Sequence, residues 1–166
     1  MQPMPRSILF VCTGNICRSP LAEGVFRHLA LSVGRADMQF DSAGLGNWHA
    51  GEPPNARSIK VGAGHGVPIH EQVCRVVTSA DFARFDVMLG MDRSHVAALK
   101  AQRPPEARAQ VALYMQWCTG RAQDVLDPYY GDAADFEKVY GMIRAAAESW
   151  FTSTGLASSG QDSSIT

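Results

Sequence analysis

The amino-acid sequence predicts an α/β fold, an open four-stranded parallel sheet with helices on both faces. Two observations lead to this prediction. Segments typical of strands and segments typical of helices alternate along the chain, and the first strand pattern is apolar without alternation, as in a strand covered on both sides. Neither an internal repeat nor a linker divides the sequence. We therefore expect a single domain over residues 1–151, followed by a flexible C-terminal tail over residues 152–166.

The first strand, loop and helix have the clearest boundaries. Ser7 to Cys12 reads SILFVC, a buried strand, and the loop from Thr13 to Arg18 follows it. Ser19 is a residue type that caps helices, and the proline after it suits a first helical turn. The helix pattern then places Leu21, Val25 and Leu29 on one face at intervals of four.

The remaining elements follow from apolar runs and chain breakers. Strands are predicted over 38–42, 85–91 and 110–114, and helices over 56–63 and 93–101, the latter capped by Asp92. The segment Arg103-Pro104-Pro105 interrupts the chain before the fourth strand. The final helix is the most regular, with an apolar stripe formed by Phe136, Val139, Tyr140, Ile143, Ala147 and Trp150.

Composition and charge restrict the classes of function. The chain has 166 residues, of which 46% are hydrophobic and 19% charged, with 15 Lys and Arg against 16 Asp and Glu. The resulting net charge of -1 gives no basic field to attract nucleic acid or an anionic membrane, so we expect neither as a partner. The sequence shows no long apolar run near its start, and we expect a cytoplasmic protein.

The loop after the first strand carries the strongest chemical signal. Ligands of open parallel sheets bind at the carboxyl ends of strands, and a short loop leading into a helix points backbone N–H groups at a bound oxyanion. The Gly-Lys pair of ATP-binding loops is absent here. Instead Cys12 begins the loop and Arg18 ends it, so a thiol and a guanidinium can face one anion. The sequence therefore predicts a phosphate-binding loop after the first strand.

The same loop predicts a nucleophile. The N–H groups and helix dipole that favour phosphate also favour a thiolate at Cys12, which we expect to be ionised at neutral pH. Arg18 can hold two phosphoryl oxygens as a bidentate pair. A departing alkoxide or phenolate needs a proton donor, and Asp127 is the best candidate. Pro128 favours an extended conformation at Asp127, and its apolar and aromatic neighbours are expected to keep the acid protonated.

Five motifs together resemble the low-molecular-weight protein tyrosine phosphatases. The likeness runs from about Ser7 to Phe151 in the family's order and spacing, on the motifs VCTGNICRSP (11–20), DSAG (41–44), NWH (47–49), MDRS (91–94) and DPYY (127–130). The resemblance implies hydrolysis of phosphotyrosine in proteins through a phosphocysteine. The sequence shows neither a metal-ligand spacing nor a dinucleotide-binding motif after the first strand, so we expect no cofactor. Inorganic phosphate and other oxyanions are then expected as inhibitors.

The resemblance also assigns roles to individual residues. It makes Cys12 the nucleophile, Arg18 the group that binds the transition state, and Asp127 the general acid and then base. Ser19 matches a hydroxyl that stabilises the thiolate, and Asn15 a residue that holds the loop in shape. Other residues expected in the loop's binding surface are Thr13, Gly14, Ile16 and Cys17. Ser42 and His70 match supporting residues behind it.

Aromatic residues are expected to line the substrate pocket. Trp48 matches one wall, and Tyr129 and Tyr130 match the wall opposite, an arrangement suited to a planar phosphoaryl group. Ile16 favours phosphotyrosine, because relatives that resemble arginine phosphatases have Thr at this position. The sequence departs from the family pattern at Leu45, Asn55 and His95, which lie at the rim and at a helix start.

Two alternative functions share parts of this pattern. Arsenate reductases coupled to thioredoxin have a similar loop, but they need two further cysteines close together, whereas Cys74 and Cys118 are far apart in sequence and are expected to be small buried residues. A redox or phosphate sensor could use a reversible Cys12–Cys17 disulfide, which could also protect the nucleophile from overoxidation. The five histidines show no spacing typical of metal ligands.

Overall fold

The computed structural model describes residues 4–157 and contains a parallel sheet of four strands with helices on both faces. Strands β1 (Ser7–Cys12), β2 (Gln39–Gly44), β3 (Val87–Gly90) and β4 (Gln110–Leu113) are arranged in the order β2-β1-β3-β4. The helices are α1 (Arg18–Ser32), α2 (Ala56–Gly64), α3 (Asp81–Arg84), α4 (Arg93–Gln102), α5 (Tyr114–Thr119) and α6 (Ala133–Ser153). The predicted fold class is confirmed.

Strand β1 lies at the centre of the sheet and is buried throughout. Because side chains alternate along a strand, β1 contributes to two apolar layers. Ile8 and Phe10 pack in the layer that contains α1 and α6, whereas Leu9 and Val11 pack on the other face with residues of α3 and α4. Covering on both faces explains why this segment is apolar without alternation.

The larger layer is organised around aromatic rings. Phe26 of α1 lies with its ring centroid 4.9 Å from that of Phe10 and 5.6 Å from that of Trp150 in α6. The buried hydroxyl of Tyr114 donates a hydrogen bond to the carbonyl of Ile143 at 2.8 Å, so its polar group is satisfied. This packing fixes α1 and α6 against the sheet beneath the carboxyl ends of the strands.

Several predicted boundaries are corrected. Strand β2 continues to Gly44 instead of ending at Ser42, β3 is shorter than the predicted 85–91, and α3 and α5 were not anticipated. Ser19 does not cap α1, because the helix begins at Arg18 and the residue at the cap position, Cys17, makes no capping hydrogen bond with its side chain. Asp92 caps α4 as predicted, accepting hydrogen bonds from the backbone of Ser94 and His95.

Helix α6 extends beyond both ends of the apolar stripe that predicted it. It starts after Asp132, whose side chain forms a capping box with Asp135, and it continues to Ser153. Leu156 and Ala157 still pack against the core. The rest of the expected tail, residues 158–166, lies outside the described residues. Among the residues that are described, no helix is long and apolar enough to cross a membrane.

Candidate functional site

A cleft of about 260 Å³ opens at the carboxyl end of β1, where the sequence predicts the site. Its floor is formed by the loop that joins β1 to α1, and Asp127 and the aromatic residues stand at its mouth. The lining residues are Cys12, Thr13, Gly14, Ile16, Cys17, Arg18, Trp48, His49, Asp127, Tyr129 and Tyr130. The structure therefore brings together the three predicted catalytic residues and all three predicted aromatic residues.

The backbone N–H groups of the loop are left for a ligand, whereas most of its carbonyls are bonded elsewhere. The carbonyls of Cys12 and Thr13 accept hydrogen bonds from the N–H groups of Leu45 and Gly46, at 3.0 Å each, and the carbonyl of Ile16 accepts one from Asn55 at 2.8 Å. Within the described part of the chain, the N–H groups of residues 13–17 have no protein acceptor. A row of such donors ahead of a helix N-terminus is the arrangement that binds an oxyanion.

Asn15, to which the resemblance assigns the role of holding the loop in shape, has an unusual backbone conformation. Its φ of 59° makes it the one non-glycine residue with positive φ in the described chain. The buried Asn15 side chain donates from Nδ2 to Ser19 Oγ at 2.9 Å and accepts at Oδ1 from the backbone N–H of Arg75. Both ends of the amide are thus used to stabilise one backbone conformation.

The Cys12 sulfur lies at the floor of the cleft, 3.0 Å from the hydroxyl oxygen of Ser19. Because Ser19 Oγ accepts a hydrogen bond from Asn15, its own proton is free to be donated to the sulfur. This network is buried, with Cys12 only 3% and Ser19 0% exposed. The Ser19 hydroxyl therefore can stabilise a negative charge on Cys12.

Two other cysteines, Cys17 and Cys74, lie near the loop and are buried. Burial raises the pKa of Cys17 to about 12 and that of Cys74 to about 11, and in each case the Cys12 sulfur acts in the same direction. The Cys74 thiol donates to the carbonyl of Asn15 at 2.9 Å. Both groups therefore stay protonated at neutral pH. Cys74 is buried as expected, but it also supports the loop, which sequence reasoning missed.

Arg18 is held by one of its nitrogens, which leaves an edge of the guanidinium for a ligand. Its Nη1 donates to Asp92 Oδ2 and to the carbonyl of Val125, both at 2.9 Å. Its Nε and Nη2 make no hydrogen bond within the described residues, and Nη2 lies 3.7 Å from Asp127 Oδ2. The side chain is buried at 4% exposure. The free Nε and Nη2 form the planar fork that binds two oxygens of a phosphoryl group.

Asp92 and His95 form a second layer that the sequence analysis did not assign to the site. Burial would raise the pKa of Asp92, but hydrogen bonds from Ser94 and Arg18 outweigh it and lower this pKa to about 2. Burial lowers the pKa of His95 to about 4, and the positive charge of Arg18 adds to this shift. The neutral imidazole accepts from Asp92 N–H at Nδ1, so its Nε2–H donates to Thr13 Oγ1 at 2.9 Å.

Two residues expected to support the loop lie elsewhere, which corrects the sequence analysis. The Ser42 hydroxyl donates to Glu23 Oε1 at 2.8 Å, where it helps to satisfy a buried carboxyl group. The His70 side chain is 62% exposed, and its imidazole lies 3.9 Å from the carboxylate of Glu71. The supporting positions are occupied instead by Arg75, Cys74 and His95.

Asp127 is more accessible than the sequence predicts. Its side chain is 51% exposed, so the expected apolar surroundings do not cover it in this structure. Its Oδ1 accepts a hydrogen bond from the N–H of Tyr129 at 3.0 Å, which leaves Oδ2 directed towards Arg18. A carboxyl group at the mouth can exchange its proton with solvent and can reach the leaving group of a molecule bound below it.

The aromatic residues form an open entrance. Trp48 is 69% and Tyr130 95% exposed, and the rings of Tyr129 and Tyr130 meet edge to face with centroids 4.9 Å apart. Exposed aromatic side chains that cluster around a cleft mark a binding site. They suit a planar ring that enters with its phosphate directed at the loop. No group of three or more potential metal ligands occurs among the described residues.

Comparison with known proteins gives consistent matches. A family model described as low molecular weight phosphotyrosine protein phosphatase matches residues 7–161. The phosphatase of that description from Saccharomyces cerevisiae is 38% identical over 145 residues, covering 82% of this chain and 88% of the relative. Its human counterpart is 39% identical over 138 residues, covering 81% of this chain and 87% of the relative.

Solved structures agree with the sequence matches. A protein tyrosine phosphatase from Entamoeba histolytica superimposes with a TM-score of 0.82 at 32% identity, covering 90% of this chain and 96% of that chain. A Drosophila arginine phosphatase superimposes with a TM-score of 0.81 at 31% identity, covering 89% of this chain and 96% of that chain. The similarity therefore extends over nearly the whole described chain.

Proposed function

Because the chain belongs to the low molecular weight phosphotyrosine protein phosphatase family, we propose that Cys12, Arg18 and Asp127 are the residues that perform its reaction. As a member of this family the protein is a cysteine-dependent phosphatase that hydrolyses phosphotyrosine in proteins through a phosphocysteine. One observation supports the residue assignment above all others. The Cys12 sulfur, the free edge of Arg18 and the carboxyl group of Asp127 line one cleft.

The first step transfers the phosphoryl group to the enzyme. The N–H groups of residues 13–17 and the Nε and Nη2 of Arg18 bind the non-bridging oxygens. The Cys12 thiolate attacks phosphorus from the floor, the S–P bond forms and the P–O bond to the tyrosine breaks. The leaving oxygen faces the mouth, where protonated Asp127 donates its proton and tyrosine departs as a neutral phenol.

The second step restores the enzyme. Asp127, now a carboxylate, takes a proton from a water molecule that attacks the phosphocysteine from the side vacated by the phenol. The S–P bond breaks, inorganic phosphate is released and Cys12 returns to a thiolate. The Ser19 hydroxyl at 3.0 Å stabilises the sulfur anion at both ends of the cycle. Asp92 keeps Arg18 in place throughout, because the carboxylate remains ionised down to about pH 2.

The entrance supports phosphotyrosine as the preferred substrate. A phosphorylated aromatic ring can pack between Trp48 and Tyr129 while its phosphate reaches the loop, whereas phosphoserine is too short to use these walls. Ile16 adds an apolar surface at the cleft. Phosphotyrosine proteins are therefore the proposed partners, and inorganic phosphate and oxyanions of similar shape are proposed as competitive inhibitors.

Location and domain extent are part of the same proposal. The four cysteines are free thiols in the structure, which fits a reducing compartment, and we assign the protein to the cytoplasm. The catalytic domain covers residues 1–151 in this proposal, and the helix that ends it continues to Ser153.

A side-by-side assay tests the proposed function. Peptides containing phosphotyrosine, phosphoserine or phosphoarginine would be supplied to the wild type and to Cys12→Ser, with arsenate reduction as a fourth reaction. The proposal predicts rapid release of phosphate from phosphotyrosine alone, and loss of that activity in Cys12→Ser with retained binding of phosphate. Preferred hydrolysis of phosphoarginine, or full activity in Cys12→Ser, would contradict the substrate or the nucleophile assignment respectively.

A further inference from the structure

The loop that carries Asp127 has no helix or strand of its own. It runs from the end of α5 at Thr119 to the beginning of α6 at Ala133. On one side of Asp127 it is fixed at Val125, whose N–H donates to the carbonyl of Met91 at 2.9 Å and whose carbonyl accepts from Arg18. The position of the general acid therefore depends on what holds the other side.

Arg57 of α2 holds that other side with both terminal nitrogens. Its Nη1 donates to the carbonyl of Gly131 and its Nη2 to the carbonyl of Tyr129, both at 2.7 Å. In the described chain no other group donates to either carbonyl. The guanidinium also packs over the buried ring of Phe136, with Cζ 4.4 Å from the ring centroid. Two hydrogen bonds and one stacked contact thus fix residues 129–131 to α2.

The backbone of Arg57 at the start of α2 is itself fixed by hydrogen bonds. Asn55 caps α2 by accepting at Oδ1 from the N–H of Arg57 at 2.9 Å, and its own N–H donates to the carbonyl of Ile16 in the phosphate-binding loop. Arg57 forms no ion pair with a carboxylate among the described residues. Its Nη1 and Nη2 are therefore used on backbone carbonyls and its Nε donates to Asn55 Oδ1 at 3.4 Å, so the start of α2 connects the loop of the nucleophile to the loop of the acid.

Given the proposed acid role of Asp127, we propose that Arg57 is a positioning residue for the proton transfer. Its hydrogen bonds to the carbonyls of Tyr129 and Gly131 fix this turn, and the N–H of Tyr129 in turn holds Asp127 Oδ1 at 3.0 Å. Displacing Tyr129 therefore displaces the acid from the leaving group, while the phosphate-binding loop keeps its own contacts. Arg57 acts on leaving-group protonation and leaves anion binding unchanged.

The test compares two leaving groups in Arg57→Leu. This substitution keeps apolar bulk next to Phe136 but removes the hydrogen-bond donors. Because a positioned general acid contributes about 10² to 10⁴ in rate, losing its placement should lower kcat/KM for phenyl phosphate by about tenfold or more. For p-nitrophenyl phosphate, whose leaving group needs little protonation, kcat/KM should fall less than about threefold, because kcat/KM reports the first step and not the later hydrolysis in which Asp127 acts as base. Inhibition by inorganic phosphate should stay within about twofold. Arg57→Lys, with one nitrogen for two carbonyls, should restore only part of the phenyl phosphate activity.

Arg103 provides a matched control. It also donates to two backbone carbonyls of a loop, those of Ala107 and Ala109 at 2.7 and 2.8 Å, but this loop enters the amino end of the edge strand β4, whereas the cleft lies at the carboxyl end of the central strand β1. Arg103→Leu should therefore lower the thermal unfolding temperature about as much as Arg57→Leu does. It should leave the ratio of kcat/KM for phenyl phosphate to kcat/KM for p-nitrophenyl phosphate unchanged. A changed ratio in Arg57→Leu alone shows positioning instead of general destabilisation.

The double variant separates this inference from the proposed function. In an Asp127→Asn background, Arg57→Leu should add less than a twofold loss for phenyl phosphate, because no acid remains to be positioned. Equal losses for both substrates, full additivity in the double variant, or weakened phosphate inhibition would each overturn the role of Arg57. If Asp127→Asn itself showed no loss for phenyl phosphate, the acid assignment would fail and this inference with it.

Discussion

Replacing Gly44 by alanine is expected to disturb catalysis without adding any group to the cleft. Gly44 ends β2 opposite Cys12 in the sheet register, directly beside the phosphate-binding loop. A Cβ at this position would lie 2.9 Å from the carbonyl carbon of Gly14, and 3.0 Å from Asn15 N and from Thr13 O. All three contacts are backbone atoms of the loop, so the overlap cannot be relieved by rotating a side chain.

The expected displacement follows from these distances. Non-bonded carbon atoms rest at about 3.5–4.0 Å, so the loop must move by about 0.5 Å or more. Gly44 itself cannot retreat, because its N–H donates to the carbonyl of Arg75 and its carbonyl accepts from Val77. Since misplacing reacting groups by about 1 Å can cost 10²-fold, half that distance should lower kcat/KM by about tenfold. Overpacking should also cost about 1–3 kcal/mol of unfolding free energy.

The assay combines kinetics with a stability measurement. Steady-state hydrolysis of p-nitrophenyl phosphate and inhibition by inorganic phosphate would be measured for Gly44→Ala, with urea unfolding to confirm that the variant is folded. Gly141→Ala serves as the control, because a Cβ there meets nothing within 4 Å on an exposed face of α6. A folded Gly44→Ala with kcat/KM and phosphate inhibition within about twofold of the wild type would refute the reasoning.

Three further predictions follow from the site. Asp127→Asn should lower kcat/KM for phenyl phosphate by about 10²-fold or more and affect kcat/KM for p-nitrophenyl phosphate far less; equal losses in kcat/KM would exclude the acid role. Arg18→Lys should lose about 10²-fold in kcat and also bind phosphate more weakly in calorimetry, because lysine lacks the fork; normal binding would contradict it. Burial lowers the pKa of His95 from 6.5 to about 4 in the folded chain. As the pH falls, His95 is therefore protonated in the unfolded chain at a higher pH than in the folded chain. The free energy of unfolding should therefore fall as pH decreases from about 6.5 to 4, and His95→Asn should show a smaller fall in urea titrations; an identical fall would contradict it.

Features encoded by local sequence could be predicted well. The unbroken apolar run of β1 indicated a strand covered on both faces, and the loop after it was found because its nucleophile, its arginine and the helix start are adjacent in sequence. Asp92 could be recognised as a helix cap from its position alone. Its second function, holding Arg18 through Oδ2, depends on two strand ends that meet only in the folded sheet.

Features that depend on distant backbone atoms could not be predicted. The backbone N–H of Arg75 donates to Asn15 Oδ1, and Arg57 donates to the carbonyls of Tyr129 and Gly131, yet a backbone N–H or carbonyl has no residue type that a sequence could reveal. The short helix α5 follows β4 without a capping residue, so no local signal marks its start. Ser42 was misplaced because a buried carboxyl, that of Glu23, binds its hydroxyl.

The central claim is that the Cys12 sulfur carries the phosphoryl group during turnover. Its most direct test is to stop the reaction with an aryl phosphate in denaturant within a single turnover, then locate the bound phosphoryl group by peptide mass spectrometry. We predict one phosphoryl group on the peptide that contains Cys12, assigned to that sulfur by fragmentation, and none in Cys12→Ser. A phosphoryl group on Cys17, on Cys74 or on no cysteine during rapid turnover would contradict the account.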